Sequence, residues 1–348
     1  MAGPITAFFA ILAAASAPSA LASAAAASGA PVAAAPLPAG ASFVREQDYR
    51  VARIGYRIGL SGGAHCPDPY PLTGLLLHHL AEYSQSDRPA AAEHYSLDRG
   101  PAILAVVEES PAARAGLAAG DVVLAVNGRP LPSPVAMAQG RDNEEARPAI
   151  EATEAQLEAE LRRGPADLRL LRNGEELTLR LDPVDGCPAR VRLARSSQVN
   201  AFAHNGYAIM TTALLAFLES DDELAVVLGH EIAHNILRHP AMLDAQGVPD
   251  GILRGFGRNA SRVRATEEAA DRLGIRLAWA AGYDVSAAIP YWRRYYAKYD
   301  TMPQLFRTHP SLRARERLIV EVLTELGSSG SDLGSKRPEL GEGALRKR

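Results

Sequence analysis

The sequence predicts an α+β protein: a mainly helical part, with a small β-rich part inserted before its core. Three observations lead there. Ser220–His239 carries helix start and stop signals around an all-apolar run, Leu224–Leu228. Pro101–Leu131 and Leu168–Leu181 are short apolar runs punctuated by Asn-Gly turns, the pattern of antiparallel strands. At 348 residues the chain has length for two modest domains plus tails.

Taken in order, residues 1–30 read as an export signal. Ile5–Ala15 is a short apolar core and Ala20-Leu21-Ala22 is a small-x-small cleavage site. No Lys or Arg precedes Arg45, so the usual positive start is missing apart from the amino terminus. Residues 31–47 read as a disordered linker, rich in Ala, Pro, Gly and Ser. Tyr49–Leu60 interleaves polar with apolar residues and predicts a strand. Residues 48–187 are taken as that strand region plus the β-rich domain, 188–326 as the helical domain, and 327–348 as a disordered Gly/Ser/charged tail. The net charge of −3 and the lack of a lysine run exclude an electrostatic footprint for nucleic acid.

Within 48–187, His78 and His79 are adjacent and point to different faces, which is poor ligand spacing, so they read as structural. Ser133–Arg147 lacks a sustained apolar period and reads as an irregular polar insert, followed by a helix over Ile150–Arg163. Cys66 and Cys187 are the only cysteines; in an exported chain they read as one disulfide across the ends of the insert.

The chemistry concentrates in His230-Glu231-Ile232-Ala233-His234, an H-E-x-x-H pattern. Residues four apart share a helix face, so two imidazoles can aim at one point, which suits tetrahedral zinc. Glu231 sits beside that point, placed to take a proton from water. Ser220 with Glu223 predicts a capping box, Asp221 and Asp222 put negative charge in the first turn, and Pro240 predicts the helix end after His239. Taken alone, the pattern also fits two core histidines near an unrelated glutamate. Downstream, Thr266–Gly274 (TEEAADRLG) opens a second predicted helix, with Glu267 and Asp271 four apart on one face. Leu243–Arg264, rich in Gly and Arg, reads as a solvated face, and Ser286–Tyr299 as a helix whose aromatic residues belong to the core.

Across Arg190–Leu323 the chain resembles the HtpX-like and CAAX-prenyl-protease-like zinc endopeptidases, metallopeptidase family forty-eight, whose domain is zincin-type. The family's H-E-x-x-H is followed by E-x-x-A-D. That resemblance implies Glu267 as third metal ligand, Glu268 as its neighbour, Asp271 as the aspartate that orients a ligand histidine, and one Zn2+ per chain. Thr308-His309-Pro310 with Arg315 matches the family's T-H-P-x-x-x-x-R. This implies that His309 is at the active site, holding an oxyanion or capping the metal, and that Arg315 is an anchor. Arg313 and Arg317 compete for the latter place. Asn200–Ala203 and Gly206–Ile209 resemble the family's substrate-edge hairpin, with Tyr207 where the pattern has a second glycine.

Ser110–Pro130 is similar to the long S-P-A-A…G-D-V-V-L-x-V-N-G-x-P signature of PDZ domains in bacterial envelope proteases, over about Leu60–Pro183. The resemblance implies a peptide groove that accepts an extended strand, and Leu75–Leu80 is the candidate carboxylate-binding loop. Together the two resemblances imply an exported zinc metalloendopeptidase of a bacterial periplasm or cell envelope. It would hydrolyse peptide bonds of envelope proteins, and the PDZ-like domain would select protein or peptide substrates. No nucleic acid or clear transmembrane helix of the mature chain enters this reading. A PDZ-dominated binding or chaperone-like module with latent protease activity is the alternative.

Overall fold

The computed structural model describes residues 39–63, 66, 68–141, 143–248, 257–299 and 310–332. The predicted export signal, most of the linker and the end of the tail lie outside the described residues. The chain divides into two compact units. One is built on Thr73–Pro183 and the other on Val51–Leu72, Val184–Met242 and the chain from Ser261 onward.

The first described element is a helix, α1 (Ala39–Ser61), so the strand predicted over Tyr49–Leu60 is corrected. Its buried residues, Val51, Ile54 and Ile58, recur every three or four positions, which is a helix face. The apparent alternation came from arginines interleaved at the same helical spacing. Gly55 and Gly59 lie on that face. A Cβ at Gly55 would sit 2.5 Å from Val191 Cγ1 and one at Gly59 2.8 Å from the Cβ of Ala189, so the glycines let the helix lie close against that stretch.

Strand β1 (Tyr70–Leu72) then leaves this unit, and β8 (Val184–Gly186) returns beside it, paired antiparallel with Leu72 opposite Val184. Everything between is an insert whose ends meet. Cys66 and Cys187 form a disulfide next to that gateway, with Cα atoms 5.5 Å apart.

The inserted unit is an antiparallel sheet of β2 (Leu75–His78), β3 (Ala102–Val106), β4 (Val122–Val126), β6 (Ala166–Arg172) and β7 (Glu175–Leu181) in the order β2-β3-β4-β6-β7, with the short β5 (Arg129–Pro130) paired to β4. The Asn127-Gly128 and Asn173-Gly174 pairs both hold positive φ, as their hairpin turns require. The helices are α2 (Arg88–Tyr95), α3 (Pro111–Arg114), α4 (Pro134–Ala138) and α5 (Asn143–Leu161). Thus Ser133–Arg147 is largely helical, not irregular. Helix α5 begins at Asn143, seven residues before the predicted helix start at Ile150, and continues the buried face of Ile150, Thr153, Leu157 and Leu161 back to Ala146, a small residue with little hydropathy signal. The core gathers Leu77, Ile103, Val123, Val126, Leu157, Leu168, Leu170 and Leu181. Leu75–Leu80 is edge strand β2 and the start of a 3-10 turn, rather than a loop. His78 Nδ1 lies 2.9 Å from the Tyr83 hydroxyl and His79 Nε2 lies 3.0 Å from Glu154 Oε1, so the two imidazoles part as predicted.

The second unit continues with β9 (Arg190–Ala194), β10 (Ala201–His204) and β11 (Tyr207–Thr211), in the order β10-β11-β9. The β10–β11 hairpin is antiparallel and β11–β9 is parallel. Helices α6 (Thr212–Phe217), α7 (Asp221–Ile236), α8 (His239–Ala245), α9 (Gly257–Ala280), α10 (Ala288–Tyr299) and α11 (Leu312–Asp332) follow. Two boundaries move. Helix α9 starts at Gly257, well before Thr266, and α11 runs to Asp332, past the predicted start of the tail at 327. Among the described residues no helix is long and apolar enough to cross a membrane.

Candidate metal centre

Helix α7 is nucleated by its sequence and buried by its packing. Ser220 Oγ accepts from the Glu223 amide at 3.1 Å. The carboxylate of Glu223 reaches back to the amide of Glu219, at 2.8 Å, one residue earlier than a capping box would place it, and also accepts from Arg294 at 2.7 Å. From Glu223 to Ala233 the helix is buried on all sides.

Helix α9 crosses α7 in direct backbone contact. A Cβ at Gly229 would meet the Gly274 carbonyl oxygen at 2.5 Å, and one at Gly274 would meet the His230 amide nitrogen at 2.6 Å. The two glycines let the helices approach more closely than side chains allow. The sequence signal was there to read: glycine costs roughly 0.5–1 kcal/mol inside a helix, so two in buried helix interiors mark a close approach.

At this crossing three side chains converge. His230 Nε2 lies 3.1 Å from His234 Nε2, and the Glu267 oxygens lie 3.5 Å from the first and 3.6 Å from the second. Ligands about 2.0–2.1 Å from a tetrahedral zinc are about 3.3–3.4 Å from one another. The observed separations bracket that edge. Among the described residues, His230, His234 and Glu267 are the group arranged to hold a metal ion. Glu268 is exposed.

Behind His230, its Nδ1 lies 2.8 Å from Asp271 Oδ1. Arg315 Nε donates to Asp271 Oδ2 at 2.7 Å, and its guanidinium lies 3.8 Å above the Trp292 ring. Arg315 is the buried arginine of its helix, whereas Arg313 and Arg317 are exposed. Of the aromatic residues on α10 expected in the core, Tyr291 is buried whereas Trp292, Tyr295 and Tyr296 are half-buried, and Trp292 serves the site by supporting Arg315. Tyr296 donates to the carbonyl of Pro310 at 2.5 Å. His309 itself lies outside the described residues.

Behind His234 stands a residue to which the sequence reading assigned no role. Helix α7 ends at Ile236, not after His239. Arg238 then takes a left-handed conformation, φ 52°, and turns the chain so that His239 folds back. A left-handed non-glycine residue costs roughly 1–2 kcal/mol. Here Arg238 also pairs with Asp68 at 2.5 Å. Pro240 sits in the first turn of α8, where proline is tolerated. His239 is buried, and its Nδ1 lies 3.0 Å from His234 Nδ1.

The three imidazoles are shifted in opposite directions. Burial pushes the His230 imidazole down, but the carboxylates of Asp271, Glu267 and Glu231 outweigh it and raise it to about 10. Burial, reinforced by His230, lowers His234 to about 3, and burial lowers His239 to about 4. Burial likewise opposes ionisation of Asp271, yet Arg315 and His230 hold it below the usual carboxylate range. Glu231 is buried next to His230 on α7.

Residues 183–253 and 251–322 match the family model for peptidase family M48, and residues 103–163 match that for a PDZ domain. The chain pairs a family M48 peptidase region with a PDZ domain. The M48 match contains every residue of the candidate metal centre. Relatives include the mitochondrial metalloendopeptidase OMA1 of Schizosaccharomyces pombe, 31% identical over 157 residues, which are 39% of this chain and 47% of that protein. Another is the putative beta-barrel assembly-enhancing protease of Vibrio cholerae, 27% identical over 150 residues, which are 34% of this chain and 31% of that protein. The chain thus spans less than half the length of these relatives. A crystal structure of the HtrA3 PDZ domain with a phage-derived ligand aligns at 23% identity and a TM-score of 0.24, over 34% of this chain and 91% of that one.

Proposed function

We propose that this chain is an exported zinc metalloendopeptidase acting on proteins of the cell envelope, with substrates selected by the PDZ domain. One observation carries the reading: two imidazole Nε2 atoms and a carboxylate converge at tetrahedral-edge distances, with the buried Glu231 beside them. A donor set of two nitrogens and one oxygen suits zinc and leaves a fourth position open for catalysis. Zinc held there supplies a Lewis acid that polarises the scissile carbonyl and makes water acidic near neutral pH.

The protein's own residues do the rest. Glu231 takes the proton from the attacking water and passes it to the leaving amine. Asp271 fixes the orientation of His230, and Arg315 keeps Asp271 ionised and in place. By the family resemblance, His309 supplies a hydrogen bond to the oxyanion or covers the metal. The hairpin edge β10 offers main-chain groups to an extended substrate. In the PDZ domain, β2 stands at the end of its sheet, the position from which strand addition is made. The disulfide supports an oxidising compartment.

The test is Glu231→Gln. This variant retains one zinc per chain by elemental analysis and loses nearly all cleavage of an unstructured protein substrate, while a chelator abolishes wild-type activity. Cleavage by Glu231→Gln at the wild-type rate would refute the reading. The selection role is tested by joining Leu72 to Val184 through a short linker, since β1 and β8 already hold those residues side by side. That chain keeps peptide cleavage and loses its preference for native envelope targets. A binding module with incidental protease activity would show the reverse loss, with Glu231→Gln leaving the physiological role intact.

A further inference from the structure

Among the described residues, only one of the two ligand histidines has a carboxylate behind it. His230 is backed by Asp271, whereas His234 is backed by another histidine. We infer that His239 is a positioning residue for the metal: it accepts a hydrogen bond from His234 Nδ1–H and so holds His234 with its Nε2 lone pair turned to the site. This rests on the zinc reading above.

With a metal on the Nε2 side of His234, the geometry sets the tautomers. The Nε2 of His234 is the atom that meets His230 Nε2 and Glu267. A metal there takes the Nε2 lone pair, so the ring's one proton resides on Nδ1. That Nδ1 faces His239 Nδ1 at 3.0 Å. Two Nδ1 atoms at this distance are bonded only if one donates and the other accepts. His239 must therefore carry its own proton on Nε2 and present a bare Nδ1. The rings meet at 78° with centroids 4.9 Å apart, so the contact is edge-on between nitrogens rather than stacked.

Two further features show that the pairing is constructed. His239 is buried although it begins a new helix. It reaches His234, five residues earlier, only because Arg238 adopts the left-handed conformation; an uninterrupted α7 would carry residue 239 past the face that His234 occupies. Ligand histidines characteristically donate their second ring proton to a fixed acceptor, and loss of that acceptor weakens metal binding by about 10–100-fold.

The experiment compares zinc affinity, by competition with a chromogenic chelator, for the wild-type protein, His239→Ala and His239→Asn. Asparagine places its Oδ1 close to where Nδ1 stands and restores an acceptor. The alanine variant is expected to bind zinc about 10–100-fold more weakly, and the asparagine variant to recover most of that loss. In parallel, 15N NMR of the zinc-loaded wild-type protein should show His239 protonated at Nε2 and His234 at Nδ1. Wild-type affinity in His239→Ala, no recovery in a folded His239→Asn, or a His239 protonated at Nδ1 would each overturn the inference while leaving the zinc reading intact. A wild-type protein that takes up no zinc overturns both.

Discussion

Arg315 Nε donates to Asp271 Oδ2 at 2.7 Å where neither side chain reaches solvent. A buried ion pair of this kind adds little net stability over an apolar pair, but breaking it strands a charge. Arg315→Met should therefore cost about 3–5 kcal/mol in urea unfolding. Arg315→Lys should recover only part of that, because an ammonium lacks the planar fork and the stacking on Trp292. Equal stability of the Met variant and wild type would show that Asp271 is satisfied otherwise.

Glu267 and Glu268 are neighbours with opposite fates, one facing the histidines and the other exposed. Glu267→Ala should leave the purified protein with much less than one zinc per chain by elemental analysis. Glu268→Ala should keep its zinc and its stability to within about 0.5 kcal/mol, the usual range for a surface change. The opposite stoichiometries would move the ligand to Glu268.

Replacing a helix-interior glycine with alanine ordinarily stabilises by about 0.5–1 kcal/mol. At Gly229 or Gly274 the added methyl would overlap the backbone of the other helix, and overpacking typically costs 1–3 kcal/mol. The clash is the larger effect, so Gly229→Ala and Gly274→Ala should both lower the melting temperature and weaken zinc binding by separating His230 from Glu267. Gly327 in α11 has open space around its Cβ position and is the control, where alanine should be neutral or stabilising.

The disulfide joins residues 121 apart in sequence, across the base of the insert. Loop entropy for a closed loop of this size is on the order of 4–5 kcal/mol, and loss of native disulfides typically costs about 2–5 kcal/mol. The double variant Cys66→Ala/Cys187→Ala should lower stability by that order, in calorimetry without reductant. Adding reductant to the wild type should reproduce the shift and leave the variant unchanged.

Much of the centre was legible because its logic is local. H-E-x-x-H places two imidazoles on one face whatever surrounds the helix, and Ser220 caps that helix through its own first turn. Asn127-Gly128 and Asn173-Gly174 dictate their hairpins because few residues tolerate positive φ. The misreadings also have local causes. In α1 arginines and glycines at helical spacing imitate alternation, and in the first turns of α5, before Ile150, the buried position among the described residues is only Ala146.

The sequence alone determined which residues could act together within one helix: His230 with His234, and Glu267 with Asp271. It could not determine which helix faces meet. Arg313, Arg315 and Arg317 are equivalent until the phase of α11 against α9 selects Arg315. Gly229 and Gly274 are ordinary glycines until α7 and α9 touch there. His239 seemed only the end of a helix until the left-handed Arg238 turned it back to His234. Spacing along a helix follows from backbone geometry, whereas contact between helices depends on packing among residues far apart in the chain, and that only the tertiary structure decided.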